Sequence, residues 1–478
     1  MSEIAKDEFI RDFSRAIIAG NAAVFAGAGL SRSSGFVDWR GLLREIADDL
    51  GLDVDKENDL VGIAQFHLNE RRTRSRLNEK LIEEFTKDLI PNENHKILAR
   101  LPLVSFWTTN YDTLIEDSIR EAGRVPDVKI TQANLAQTRL RRDVVVYKMH
   151  GDISMPHEAV LTKDDYEKYE STHRLFVESL QGYLVSTTFL FIGFSFSDPN
   201  IDYILSRIRV LIGQNQRTHY CIMRRPKLLK KKGGLADYEY ECRRLELKVN
   251  DLKRFGIHTI LIDEYGEITD LLYGLSKEAH KRNVFVSGSA RAYGLFGERR
   301  LNEFARNLGR ELISHEYNLI SGFGRGVGEK VVLGALEGVF QARKGEDSNR
   351  VIIRPFPRSK SSQESQDIVN KRHREDLISQ SGAVIFLCGN RDFKGSIINS
   401  NGVIEEFEIA KSLGRYPIPL GCTGYAAEQI WDEVAREIDN LFPMKGIKRN
   451  LKKLGNRYKS DQELIEAVFE ILERVSSC

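Results

Sequence analysis

Residues 22–31 read Ala22-Ala23-Val24-Phe25-Ala26-Gly27-Ala28-Gly29-Leu30-Ser31. Five small or apolar residues in a row suit a short strand buried on both faces, and the glycines after them suit a strand-to-helix turn that a ligand can approach closely. Beyond Gly35, Trp39, Leu42, Leu43, Ile46 and Leu50 fall on one helical stripe. Upstream, Ile4, Phe9, Ile10, Phe13 and Ile17 share another, which Gly20 ends. A helix, a buried strand, a glycine turn and a second helix make the opening unit of a parallel α/β sheet.

The alternation continues along the chain. Strands are predicted at Leu103 to Thr109, Val144 to Met149, Phe189 to Phe194, His219 to Met223 and Thr259 to Ile262, each short and nearly all apolar, as strands covered on both faces are. The cationic run from Arg224 to Gly234 reads as a solvated loop. A helix from Ile268 to Ala279 leads into His280-Lys281-Arg282, and at Val284-Phe285-Val286 a new strand with a glycine turn begins. The expected domains are therefore 1–281 and 282–478, the second with further strands at Leu319 to Gly322, Val351 to Arg354, Ala383 to Leu387 and Ile418 to Leu420. The predicted fold class is α/β, with two Rossmann-like parallel-sheet domains, the second smaller.

Composition narrows the function. The 478 residues include 71 basic and 69 acidic side chains, a formal charge of +2 that supplies no global field to attract a polyanion. Nucleic acid is not an expected partner. No apolar run approaches the ~20 residues that cross a bilayer, and the start, MSEIAKDEF, is acidic where a secretion signal is basic and then apolar. Five scattered cysteines, none in a C-x-x-C pair, suit a reducing cytoplasm and predict no disulfide framework and no structural metal.

Three further loops join the glycine turn at predicted strand ends. One strand runs into Thr108-Thr109-Asn110-Tyr111-Asp112, a second into His150-Gly151-Asp152, and a third into Gly193-Phe194-Ser195-Phe196-Ser197-Asp198-Pro199. Ligands of open parallel sheets bind beyond the carboxyl ends of the strands, so these loops can face one nucleotide. Polar side chains on such loops can aim hydrogen bonds at a bound nucleotide, and a histidine, with an ordinary pKa of about 6.5, can accept a proton there at neutral pH.

The series G-A-G-x-S, T-T-N-Y-D, K-M-H-G-D and G-F-S-x-x-D-P resembles the sirtuin-like NAD-binding domain over roughly residues 5–280. By that resemblance Ala26, Gly27, Ala28, Gly29 and Ser31 hold the pyrophosphate and neighbouring ribose, and Gly193 and Ser195 lie on the adenosine side. Asn110 orients the nicotinamide ribose or a water, Asp112 supports the nicotinamide end, and His150 acts on the ribose hydroxyls. Asn110 and His150 are the expected catalytic pair. The paired C-x-x-C zinc module of protein-deacetylating sirtuins is missing, which disfavours deacetylation and leaves water as the acceptor: NAD+ hydrolysis to ADP-ribose and nicotinamide.

The second half resembles the SLOG family over about residues 283–478. On that resemblance Ser287, Gly288, Ser289, Gly322, Phe323, Gly324 and Arg325 form phosphate-binding turns, Arg374 and Arg391 pair with phosphates, and Glu406 accepts from ribose hydroxyls. The family's hydrolases carry P-G-G-x-G-T-x-x-E; here the matching stretch is Cys388-Gly389-Asn390, an insertion, then Gly402-Val403-Ile404-Glu405-Glu406. The lost P-G-G favours binding over a second catalytic centre.

The two domains in this order resemble the NAD-consuming effectors of the bacterial Thoeris anti-phage system. That likeness implies an NADase activated when a cyclic ADP-ribose isomer, made by a TIR-domain partner, binds the SLOG domain. It also implies NAD depletion during infection and a homotetramer or higher assembly. The alternatives are a non-catalytic NAD- and nucleotide-binding regulator, or an NAD-dependent protein deacylase or ADP-ribosyltransferase.

Overall fold

The computed structural model describes residues 4–87, 89–196, 198–213, 216–228, 234–342, 350–357 and 365–476. It divides into two compact units, Met1–Ser276 and Lys277–Cys478, a few residues ahead of the expected position at 281.

The first unit is built on seven strands: β1 (Ala22–Ala26), β2 (Ser105–Thr108), β3 (Pro126–Lys129), β4 (Val144–Lys148), β5 (Thr188–Ile192), β6 (His219–Arg224) and β7 (Ile257–Ile262). They lie in the order β3-β4-β2-β1-β5-β6-β7, all parallel. β1 is central and wholly buried because helices cover both faces. On one face Phe25 stacks on Phe191 at 5.4 Å between ring centroids. On the other, Phe9 and Phe13 of the helix Lys6–Ile18 pack against Tyr220. The chain leaves β1 for β2 on one side and later returns to β5 on the other, so the crevice between these strands is the topological switch point where open α/β sheets bind ligands.

β3 is an addition to the sequence reading. Its Pro126-Asp127-Val128-Lys129 shows no apolar run, because it is an edge strand: proline is tolerated where a strand begins, and charge guards an open edge. Buried Asp127 is neutralised by Lys129 at 2.9 Å and Arg142 at 3.1 Å.

The second unit holds β8 (Asn283–Ser289), β9 (Asn318–Ser321), β10 (Val351–Ile353), β11 (Ala383–Cys388) and β14 (Tyr416–Pro419), parallel in the order β10-β9-β8-β11-β14. Its switch point lies between β8 and β11. The insertion after Asn390 is a hairpin of β12 (Asn390–Phe393) and β13 (Ser396–Asn399). Lys394 and Gly395 both take positive φ at its tip, 53° and 81°, the geometry that lets a two-residue turn match the twist of the strands.

Candidate active site

A cavity of about 1720 Å³ opens at the carboxyl ends of the first unit's strands. Gly27, Ala28, Gly29, Ser31, Asn110, Asp112, His150, Gly193 and Ser195 all line it. Ala26 does not: it is fully buried in the sheet, and its carbonyl accepts the Thr108 hydroxyl at 3.0 Å. The wall starts one residue later, where the strand ends.

The glycines serve a close approach of two loops. Gly27 N–H donates to the Ile192 carbonyl and Gly29 N–H to the Gly193 carbonyl, both at 2.9 Å. A Cβ on Gly27 would sit 2.5 Å from the Gly193 oxygen, and one on Gly193, whose φ is +63°, would sit 2.3 Å from Leu30 N. The amides of Gly27 and Gly29 are thus already engaged by the β5 loop, and the turn expected to cradle phosphate continues as a short helix, Ala28–Arg32.

Asn110 is held from both ends. Its backbone N–H donates to Thr108 Oγ1 at 2.9 Å, and its Nδ2 donates to the Gly27 carbonyl at 3.2 Å and Ser31 Oγ at 3.1 Å. The side-chain oxygen Oδ1 is buried and has no hydrogen bond among the described residues, so an acceptor remains for a ligand. Asp112 is buried too, accepting from Leu114 N–H at 3.1 Å, and burial pushes its carboxyl up from the ordinary range.

His150 is 1% exposed, between the edges of Tyr166 and Tyr169. Its Nε2 lies 3.2 Å from Asp198 Oδ2, yet neither ring nitrogen completes a hydrogen bond among the described residues. Desolvation lowers its pKa, opposed by the Asp198 charge, so the imidazole is neutral, the form in which it can accept a proton. Asp198 is fixed in turn as the N-cap of the helix Pro199–Ile212, accepting from Asn200 N–H at 2.9 Å and Ile201 N–H at 3.2 Å. The D-P pair of the fourth motif signals that cap; the meeting of Asp198 with His150 needs the fold.

The ammonium of Lys148, the residue before Met149-His150, is fully buried. It meets the Asp152 carboxylate and the carbonyls of Tyr111 and Asp112, and lies 3.2 Å from Glu116. Lys148 opens the K-M-H-G-D motif, but its burial and its meeting with Glu116 are not signalled by its neighbours along the chain.

Arg224 ends β6, and the run that follows is exposed at Lys227 and Leu228, as a solvated loop requires; Arg224, Arg225, Pro226 and Lys227 also line the cavity. Residues 229–233 of that run lie outside the described residues.

In the second unit Ser287, Arg374, Glu405 and Glu406 meet at the switch point. Ser287 donates to Glu406, whose carboxyl is pushed up to about 7 by burial, and Arg374 lies 2.7 Å from Glu405 and 3.5 Å from Glu406. A Cβ on Gly324 would meet the Gly288 carbonyl at 2.2 Å, and the Ser289 hydroxyl donates to the Asn390 carbonyl at 3.0 Å. Gly322 lies beneath the Phe356 ring, while Phe323 and Arg325 are exposed beside it. Arg391 is exposed on the β12 hairpin, near Phe393.

Comparison with known proteins finds two family models along the chain. A SIR2-like domain model matches residues 104–245, and the Sir2- and TIR-associating SLOG family (STALD) matches residues 267–475. Fold and site together define a two-domain protein, SIR2-like and then SLOG. Over nearly its whole length the chain is 45% identical to the NAD(+) hydrolase ThsA of Bacillus cereus (strain MSX-D12), covering 98% of each chain. It is 41% identical to the NAD(+) hydrolase ThsA of Enterococcus faecium, covering 97% of this chain and 98% of that one. A more distant relative, defense-associated sirtuin 2 of Bacillus subtilis, is 28% identical over 43% of this chain and 21% of its own. The chain belongs to the ThsA family.

Proposed function

We propose that the first unit hydrolyses NAD+ to ADP-ribose and nicotinamide, and that the second unit switches this activity on by binding a cyclic ADP-ribose isomer supplied by a TIR-domain enzyme. The observation that carries the first part is that Asn110 and His150 both line the cavity at the strand ends into which the glycine turn opens. The names of the full-length relatives support the same reaction.

In this reading the pyrophosphate lies over the β1 turn, near Ser31, and the nicotinamide riboside reaches toward β2 and β4. The C1′–N bond breaks with its electron pair leaving on nicotinamide, and a water oxygen bonds to C1′. Asn110 Oδ1 orients the water or a ribose hydroxyl, and neutral His150 takes the proton released. Asp198 steadies the imidazolium that results.

The second unit reads the signal through Arg374 and Arg391 on phosphates and Glu406 on ribose hydroxyls, with turns at Ser287–Ser289 and Gly322–Arg325 around it. Coupling requires that the signal bind the active arrangement more tightly than the resting one. We place the protein in the cytoplasm as a homotetramer or higher assembly that depletes NAD during phage infection; among the described residues, no helix is long and apolar enough to cross a membrane.

The test is nicotinamide release from NAD+, titrated against cyclic ADP-ribose isomers. Parent protein is expected to respond to one isomer, with Asn110→Ala and His150→Ala inactive at every concentration. Turnover by either variant at the parent rate refutes the assigned chemistry.

A further inference from the structure

The cavity extends well beyond the catalytic pair, across the ends of β5, β6 and β7. This inference rests on the reading above. With the nicotinamide end toward β2 and β4 and the pyrophosphate over β1, the adenosine half must lie over the opposite side of the sheet. β6 is two strands from β1, about 10 Å at the usual strand spacing. Arg224 is the last residue of β6, beside Ile262 at the end of β7.

That lobe is cationic. Arg224, Arg225, Lys227, Arg244 and Lys248 line it, against the carboxylates of Asp237 and Glu241. Most of these cations are engaged. Arg225 pairs with Asp263 at 3.2 Å, Lys227 with Glu264, and Arg244 lies 3.7 Å from Glu241. Lys248 donates to the Ser195 carbonyl, tying the helix Gly234–Lys253 to the β5 loop. Arg224 differs: among the described residues it pairs with no carboxylate, and its guanidinium lies over the Tyr265 ring, 4.5 Å from the centroid. Tyr265 also lines the cavity.

Sites that select NAD+ over NADP+ place a carboxylate on the adenosine ribose diol, where it accepts from the 2′-hydroxyl and repels a 2′-phosphate; an arginine there does the reverse. A guanidinium held flat by an aromatic ring keeps its N–H fork free for a phosphate.

We infer that Arg224, seated on Tyr265 at the adenosine end of the cavity, receives a 2′-phosphate, so that NADP+ is a second substrate, cleaved to 2′-phospho-ADP-ribose and nicotinamide. The bond changes are those of NAD+ hydrolysis: C1′–N breaks, C1′–O forms from water, and the proton passes to His150. The 2′-phosphate takes no part in them. Arg224 sets specificity and is not a catalytic residue.

The test uses the full chain and the two products, which bind without turnover. ADP-ribose and 2′-phospho-ADP-ribose are titrated by calorimetry into parent protein, Arg224→Glu and Arg224→Lys. The parent is expected to bind the 2′-phosphorylated form at least as tightly as ADP-ribose. Arg224→Glu should shift the ratio of the two affinities at least tenfold toward ADP-ribose, and Arg224→Lys should restore part of it. Nicotinamide release from NADP+ by the activated parent supports the same conclusion. Parent protein that binds ADP-ribose but binds its 2′-phosphate tenfold more weakly overturns this inference alone, as does an unchanged ratio in Arg224→Glu. Failure to bind either product overturns it together with the NADase reading.

Discussion

Lys148 and Asp152 form a buried ion pair across the strand end that carries His150, and the same ammonium holds the backbone carbonyls of Tyr111 and Asp112. One cation therefore fastens the Asn110 loop to the His150 loop. Burial opposes its charge, but Glu116, Asp152 and Asp112 together raise the Lys148 pKa, and Lys148 in return keeps Asp152 ionised against its own desolvation. Lys148→Met would strand the buried carboxylates and free the loop. It should cost about 3–5 kcal/mol, as removing one partner of a buried pair does, and abolish hydrolysis. Urea denaturation and nicotinamide release check both parts; parent-like stability would refute the anchoring role.

Asp198 raises the His150 pKa that desolvation lowers. His150 acts as a base in its neutral form, so activity rises with pH through the His150 pKa. Asp198→Asn removes the charge and keeps an N-capping side chain. The acid limb of the kcat/KM profile should therefore move to lower pH. A shift to higher pH, or none, contradicts the pairing.

Gly193 has no room for a side chain and a φ of +63°. Gly193→Ala should push the β5 loop off the Gly27–Leu30 turn and lower stability by about 2–4 kcal/mol. Weaker NAD+ binding should accompany the lower melting temperature, because the same two loops line the cavity.

Burial holds the pKa of His219 at about 3 and those of His95 and His173 at about 4. His219 Nδ1 also accepts from Phe189 N–H at 3.1 Å, a bond that protonation would break. Unfolded histidine takes up a proton below about pH 6.5. The stability these residues contribute is full above that pH and is lost as pH falls toward 4 and then 3, at up to about 1.4 kcal/mol per pH unit for each. His219→Gln keeps an acceptor and cannot titrate, so its stability should fall less steeply than the parent's between pH 7 and 5 in urea titrations.

Arg374 lies within 3.5 Å of two carboxylates at the second unit's switch point. Arg374→Ala should raise the signal concentration for half-activation by about 10- to 100-fold, the worth of a charged hydrogen bond. The rate at saturating signal should be recovered. An unaltered activation curve would place the sensor site elsewhere.

Apolar runs and glycine turns made most of this architecture legible, since strands buried on both faces are written in contiguous apolar residues: β1, β5 and β11 are examples. β3 escaped because its edge position calls for charge, and the β12–β13 hairpin because its outward residues need no apolar pattern. Asn110 and His150 stood out as polar residues at strand ends. Their partners did not. Asp198 lies 48 residues beyond His150 along the chain and reaches it only because β5 returns on the far side of β1.

Short-range pattern was thus sufficient for the fold class, the two-domain order and the loops that carry chemistry, because each depends on residues within one turn or one strand of each other. Burial and charge were decided by packing alone. The neutral state of His150, the anchoring of Lys148 and the cationic lobe at Arg224 all arise where distant segments exclude water from one another, and desolvation is a property of the assembled tertiary structure.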